Sequence, residues 1–163
     1  MARGDRELNI VASVLDRLMD DEPGLSREPV PERTQSLRQL EGAVARDLEA
    51  MLNTRREALE ELSEDFKEVN RSLVNYGLPD FTSYSLMGEK DRARIRRILE
   101  ENIATFEPRL QRVRVTLEAQ REHDKALRFR VDALLRVEPS PEPVTFDAVL
   151  QLQNQEYQVQ GHA

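Results

Sequence analysis

The residues of this chain with the most chemistry to offer are its carboxylates, its guanidiniums and its two histidines, His123 and His162. With 31 Asp and Glu, some pair must fall at the ~5–10 Å separation of a glycosidase acid and base, so carboxylate content nominates no catalytic pair. Neither histidine has spaced partners for a metal site or a triad, and both read as solvated surface residues. The glycines, scattered at 4, 24, 42, 77, 88 and 161, build no phosphate cradle and no nucleophile elbow. Cysteine is absent, which removes thiol catalysis, disulfides and Cys-ligated zinc and suits a reducing cytoplasm. No cofactor and no metal are expected, and a binding or structural role is favoured over an enzyme.

The strongest anomaly is a tripeptide, Glu107-Pro108-Arg109, at the junction between a helical pattern and a strand pattern. Pro108 disfavours helical geometry at Glu107, so the helix should stop at Phe106 or Glu107. A carboxylate there faces the free carbonyls of a helix C-terminus, where negative charge is unfavourable. Counting back along the strand in steps of two, Arg109 shares a side with Val115 and Leu117 unless a bulge intervenes. Both charged residues break a local rule, and such breaks tend to mark functional or strained sites. They fit either an internal Glu107–Arg109 pair closing the corner or a contact with another protein.

Charge narrows the partners. A net charge of -7 disfavours nucleic acid, whose phosphates need a clustered positive surface. No charge-free run approaches the ~20 apolar residues of a membrane span, so no direct membrane insertion is expected, and the N-terminus lacks the pattern of a signal peptide. One basic stripe stands out at the start of a helix, with Arg92, Arg94, Arg96 and Arg97 beside Lys90. It reads either as a solvated face or as an electrostatic dock for an acidic partner.

The elements that must position these residues follow from periodicity. Leu8, Val11, Val14, Leu15 and Leu18 mark a short amphipathic helix, cut off by Pro23, Gly24, Pro29 and Pro31, so residues 1–33 form an N-terminal arm and Pro-rich linker. Leu37, Leu40, Val44, Leu48, Met51 and Leu52 predict a helix ending near Asn53, and Ile95, Ile98, Leu99, Ile103 and Phe106 a second over about 89–106. Gly77 and Pro79 impose an ordered turn among aromatics. Val113, Val115 and Leu117 alternate as a strand, and residues 119–125 turn the chain into a second strand from Leu127 to Val137. After the spacer EPSPEP, which suggests a semi-independent last strand, Val144, Phe146, Ala148, Leu150 and Leu152 alternate again. The fold class is α+β, with N-terminal helices on a small, mainly antiparallel C-terminal sheet of about three strands. One domain spans 34–153, followed by a polar tail over 154–163. Such a sheet ends in two edges that are liabilities or docking sites.

Four stretches carry a resemblance: SVLDRLMDDEP at 13–23, SLRQLEGAVARDLEAMLNTRR at 36–56, SLVNYGLPDFTSYS at 72–85 and IATFEPRL at 103–110. Together, and in this order, they resemble the TssE family of type VI secretion baseplate subunits, itself similar to the small wedge protein of contractile phage baseplates. The resemblance implies a non-enzymatic part of a contractile injection machine, assembled in the cytoplasm at the inner-membrane-docked baseplate. It maps the family's contact with the wedge core, built from TssF and TssG with TssK nearby, onto Glu107, Pro108 and Arg109. It also implies a sheet able to seed the TssB–TssC sheath, with Val144, Phe146, Ala148 and Leu150 as the sheath-facing strand. Two rivals share the resemblance: the wedge protein of a phage or phage-tail-like particle, and, because the family is sometimes labelled lysozyme-like, a peptidoglycan hydrolase.

Overall fold

A computed structural model describes residues 10–11, 13–19, 34–57, 65–81, 84–85, 88–118, 126–151 and 156–162. The Pro-rich linker and His123 lie outside the described residues, as does the side chain of His162. In chain order the elements are β1 (Ile10–Val11), α1 (Val14–Leu18), β2 (Thr34–Gln35), α2 (Leu37–Asn53), α3 (Lys67–Asn70), a 3-10 turn (Leu73–Asn75), α4 (Glu89–Phe106), β3 (Leu110–Leu117), β4 (Ala126–Leu135), β5 (Glu142–Gln151) and β6 (Glu156–His162).

Ser36 starts α2 with a capping box: its hydroxyl accepts from the Gln39 backbone N–H, and its own N–H donates to Gln39 Oε1 at 2.8 Å. The predicted stripe is the buried one, with Leu40, Val44, Leu48, Met51 and Leu52 against the sheet. In α4, Ile95, Leu99 and Ile103 are fully buried at the same spacing, and the helix stops at Phe106, two residues before Pro108.

The sheet is antiparallel, in the order β3-β4-β5-β6. It has four strands where about three were expected. The extra strand is β6, in the segment read as a polar tail. Nor is β5 semi-independent, for it pairs with β4 from Leu135↔Glu142 to Ala126↔Gln151. Leu127, Phe129, Val131, Ala133 and Leu135 of β4 and Val144, Phe146 and Ala148 of β5 point into the core, while Arg128, Arg130 and Asp132 face solvent. One face is therefore buried, and α2 and α4 cover it, α4 lying against β3 and α2 against β6. Phe129 and Phe146, at its centre, each contribute about 1.5–3 kcal/mol by leaving water.

β3 does not keep strict alternation. Its register with β4 shifts between Gln111 and Arg114, and Arg112 sits there at φ 52°. This bulge lets both Leu110 and Val115 point into the core although five positions separate them. It also cancels the parity argument that aimed Arg109 toward Val115 and Leu117.

Over its described residues the N-terminal arm touches the domain. β1 pairs with β2, and Asp16 of α1 meets Arg46 of α2 at 2.6 Å.

Candidate functional site

Glu107, Pro108 and Arg109 form a tight turn between α4 and β3. The Leu110 N–H donates to the Glu107 carbonyl at 3.1 Å, with proline at the second position, where its fixed φ fits. Glu107, 5% exposed as a residue, folds its side chain back over this turn. Its Oε1 accepts from the Arg109 backbone N–H at 3.1 Å and from Arg109 Nε at 2.7 Å, and its Oε2 accepts from Arg109 Nη2. Such a two-pronged pairing is among the strongest hydrogen-bonded arrangements of charged side chains. It also answers the misplaced carboxylate, since a guanidinium screens Glu107 from the carbonyls of the helix end.

Arg109 reaches further. Its Nη2 donates to Asp47 Oδ2 on α2 at 2.6 Å. Asp47 Oδ1 accepts from Arg46 Nε and Nη2 at 3.2 and 3.1 Å, and Arg46 Nη2 holds Asp16 of α1 at 2.6 Å. Asp16, Arg46, Asp47, Arg109 and Glu107 thus alternate in sign along one chain of ion pairs from the arm to the turn. The hydrogen bonds that Arg109 donates to Glu107, opposed by desolvation and supplemented by Asp47, raise the Arg109 pKa further above its already high value. Desolvation works to raise the pKa of Asp16, but Ser13 and Arg46 outweigh it and leave that pKa lowered. For Tyr76, burial first and then the charges of Asp47 and Glu107 push the phenol up.

Beside the turn opens a cleft of about 390 Å³. Leu48, Met51, Tyr76, Phe106 and Pro108 supply its apolar walls, and Asp47, Glu107, Arg109 and Ser13 its polar ones. Tyr76 and Phe106 meet edge to face at 5.3 Å, which fixes one wall. Pro108 is exposed at the tip of the turn. The arrangement suits gripping another protein: an apolar recess, a rigid turn and a cation held in place by two carboxylates. Among the described residues no group of three or more His, Asp or Glu is placed to hold a metal.

The other expected site residues are distributed differently. Arg92 donates to the carbonyls of Leu117 and Glu118, Arg94 lies 5.3 Å over the ring of Tyr84, Arg97 pairs with Glu101 at 2.7 Å, and Arg96 is exposed. Val144, Phe146 and Ala148 are core residues of β5. The side chain of Leu150 lies outside the described residues. Because β6 flanks β5, the edge of the sheet passes from β5 to β6. Sequence reasoning missed Asp47, Arg46 and Asp16. The only signal was Arg46-Asp47 breaking into the apolar stripe of α2, which names no partner 62 positions away.

The model of the family described as baseplate wedge protein gp25 matches residues 38–140, more than half of the chain and including α2, α4, the Glu-Pro-Arg turn and β4. The chain belongs to that family. Baseplate wedge proteins are structural parts of a baseplate, and this family therefore assigns the chain a structural role among other baseplate proteins. No curated protein matches the chain closely enough to add to this. Among the described residues no helix is long and apolar enough to cross a membrane.

Proposed function

We propose that the chain is a TssE-type wedge subunit of a type VI secretion baseplate, a non-enzymatic part that docks on the TssF–TssG wedge core, near TssK, through the Glu107-Pro108-Arg109 corner. Its sheet edge then meets the first TssB–TssC ring, at the cytoplasmic side of an inner-membrane-docked baseplate. The observation that carries the reading is the clasp itself. Two carboxylates from different elements hold Arg109 and set the exposed Pro108 beside an apolar cleft. The clasp builds the corner, and the tip and cleft meet the partner. Membership of the wedge family supports it, as do the Leu-Asn-Thr-Arg-Arg and Asn-Tyr-Gly-Leu-Pro-Asp stretches, which lie together where Arg55 bridges to Leu78.

The test is co-purification of the full chain with tagged TssF and TssG, comparing wild type with Glu107→Ala/Arg109→Ala and checking folding by circular dichroism. A folded variant that loses both partners supports the docking role, and a folded variant that retains them overturns it. Pro108→Glu, at the tip of the turn, gives the same readout without touching the clasp. A wild type that ignores TssF and TssG but joins the wedge proteins of a phage-tail-like particle selects that reading instead.

A further inference from the structure

α1 turns its polarity inside out. Val14, Leu15, Leu18 and the capping Met19 are 45 to 76% exposed, while the side chain of Asp16 is only 7% exposed. A helix held by burial of an apolar face does the reverse. Both oxygens of the Asp16 carboxylate are used: Oδ1 accepts from Arg46 Nη2 and Oδ2 from the Ser13 hydroxyl, each at 2.6 Å. Ser13 also caps the helix, accepting from the Asp16 N–H at 3.1 Å, and it lines the cleft. Among the described residues, α1 is therefore held at the rim of the cleft by charge and not by apolar packing.

The bonds leading inward from Asp16 alternate in length. Arg46 Nη2 lies 2.6 Å from Asp16 but 3.1 Å from Asp47, and Arg46 Nε lies 3.2 Å from Asp47. Asp47 in turn reaches Arg109 Nη2 at 2.6 Å. Each aspartate thus holds one guanidinium closely, and the link between the two pairs, Arg46–Asp47, is the slack one. The physical reason is competition. Asp16 meets much of the Arg46 charge, so Arg46 draws less on Asp47, and Asp47 keeps its own charge for Arg109. Without Asp16, Arg46 has no carboxylate but Asp47 among its described partners, and Nε and Nη2 already face Asp47 Oδ1 as a fork ready to close. Asp47 then divides itself between two arginines. Glu107 still keeps Arg109 on the turn, but the brace from the turn to α2 weakens.

We propose that Asp16 is a positioning residue for the Glu107-Pro108-Arg109 turn: by engaging Arg46 it leaves Asp47 to Arg109, so that seating α1 braces the turn against α2 and releasing α1 loosens it. The device starts in an arm that lies outside the stretch matched by the wedge family. Its bearing on docking rests on the proposed function, which reads this turn as the contact, whereas the coupling itself does not.

The test is hydrogen exchange of the arginine Nε–H groups, resolved by NMR of the full isotope-labelled chain, wild type against Asp16→Asn. Asparagine keeps the shape and removes the charge, at a position outside the core. Arg109 Nε–H should exchange at least about threefold faster and Arg46 Nε–H at least about threefold slower, the one losing and the other gaining a share of Asp47. Opposite signs are the signature, since an arm that merely packs would loosen both groups or neither. Unchanged exchange at Arg109, or no slowing at Arg46, overturns the proposal. In an Asp47→Asn background, Asp16→Asn should leave Arg109 unmoved, and an effect that persists there overturns the relay. Should Asp47→Asn not fold, Arg46→Gln breaks the relay instead and is read at Arg109 in the same way. No baseplate subunit enters the experiment, so its failure is separable from a failure of the wedge-docking reading.

Discussion

Glu107 and Arg109 exchange three hydrogen bonds within one turn, and Asp47 adds a fourth from α2. Removing Arg109 leaves the buried Glu107 carboxylate without its counter-charge, while Asp47 keeps Arg46. Arg109→Ala should therefore destabilise the fold by about 2–4 kcal/mol, read from urea unfolding. Arg109→Lys should recover only part of this, because an ammonium cannot fork across both carboxylate oxygens. Glu41 poses the opposite case. It is 7% exposed on α2, and burial, only partly offset by Arg38, raises its pKa above 4.5. A carboxyl whose pKa is raised by folding penalises the folded state above that raised value, and the penalty fades as pH falls below the unfolded value. Glu41→Gln should therefore raise the unfolding midpoint at pH 7, and the gain should vanish below about pH 4.5.

At the level of elements, the loop after α2 is pinned by a single backbone conformation. Gly77 has φ 92°, and a Cβ there would stand 2.3 Å from the Thr54 carbonyl, the same oxygen that accepts from the Leu78 N–H. Gly77→Ala should cost roughly 2–4 kcal/mol in thermal or urea unfolding, because backbone and not a flexible side chain must yield. Elements built on local rules were the legible ones. The apolar spacing of α2, the stop imposed on α4 by Pro108 and the period-two runs of β4 and β5 all follow from the order of residues. β6 was not legible because only Tyr157 and Val159 alternate within a polar segment, and what makes it a strand is the ladder offered by β5. The direction of Arg109 depended on the bulge at Arg112, which no periodicity announces. Its partner Asp47 depended on how α2 lies across the sheet, a tertiary fact.

For the whole molecule, the buried core among the described residues begins at Leu40, and the described contacts of β1 and α1 with the rest are a two-residue pairing and the Asp16–Arg46 bridge. An ion pair whose cation stays open to solvent, as Arg46 does here, is worth about 1 kcal/mol or less. A chain beginning at residue 34 should therefore keep its fold, with a thermal midpoint lower by no more than about 4 °C in calorimetry. The core is shared by two helices at opposite ends of one sheet face, and α2 bears on both candidate surfaces. Asp47 projects toward the Glu-Pro-Arg turn, and Glu49 and Asn53 toward β6. At about 100° per residue these groups leave the helix on opposite flanks, with Leu48 between them on the sheet. α2 is thus a common seat for two contacts, the Asp47–Arg109 bridge on one flank and the Asn53 and Glu49 hydrogen bonds to β6 on the other.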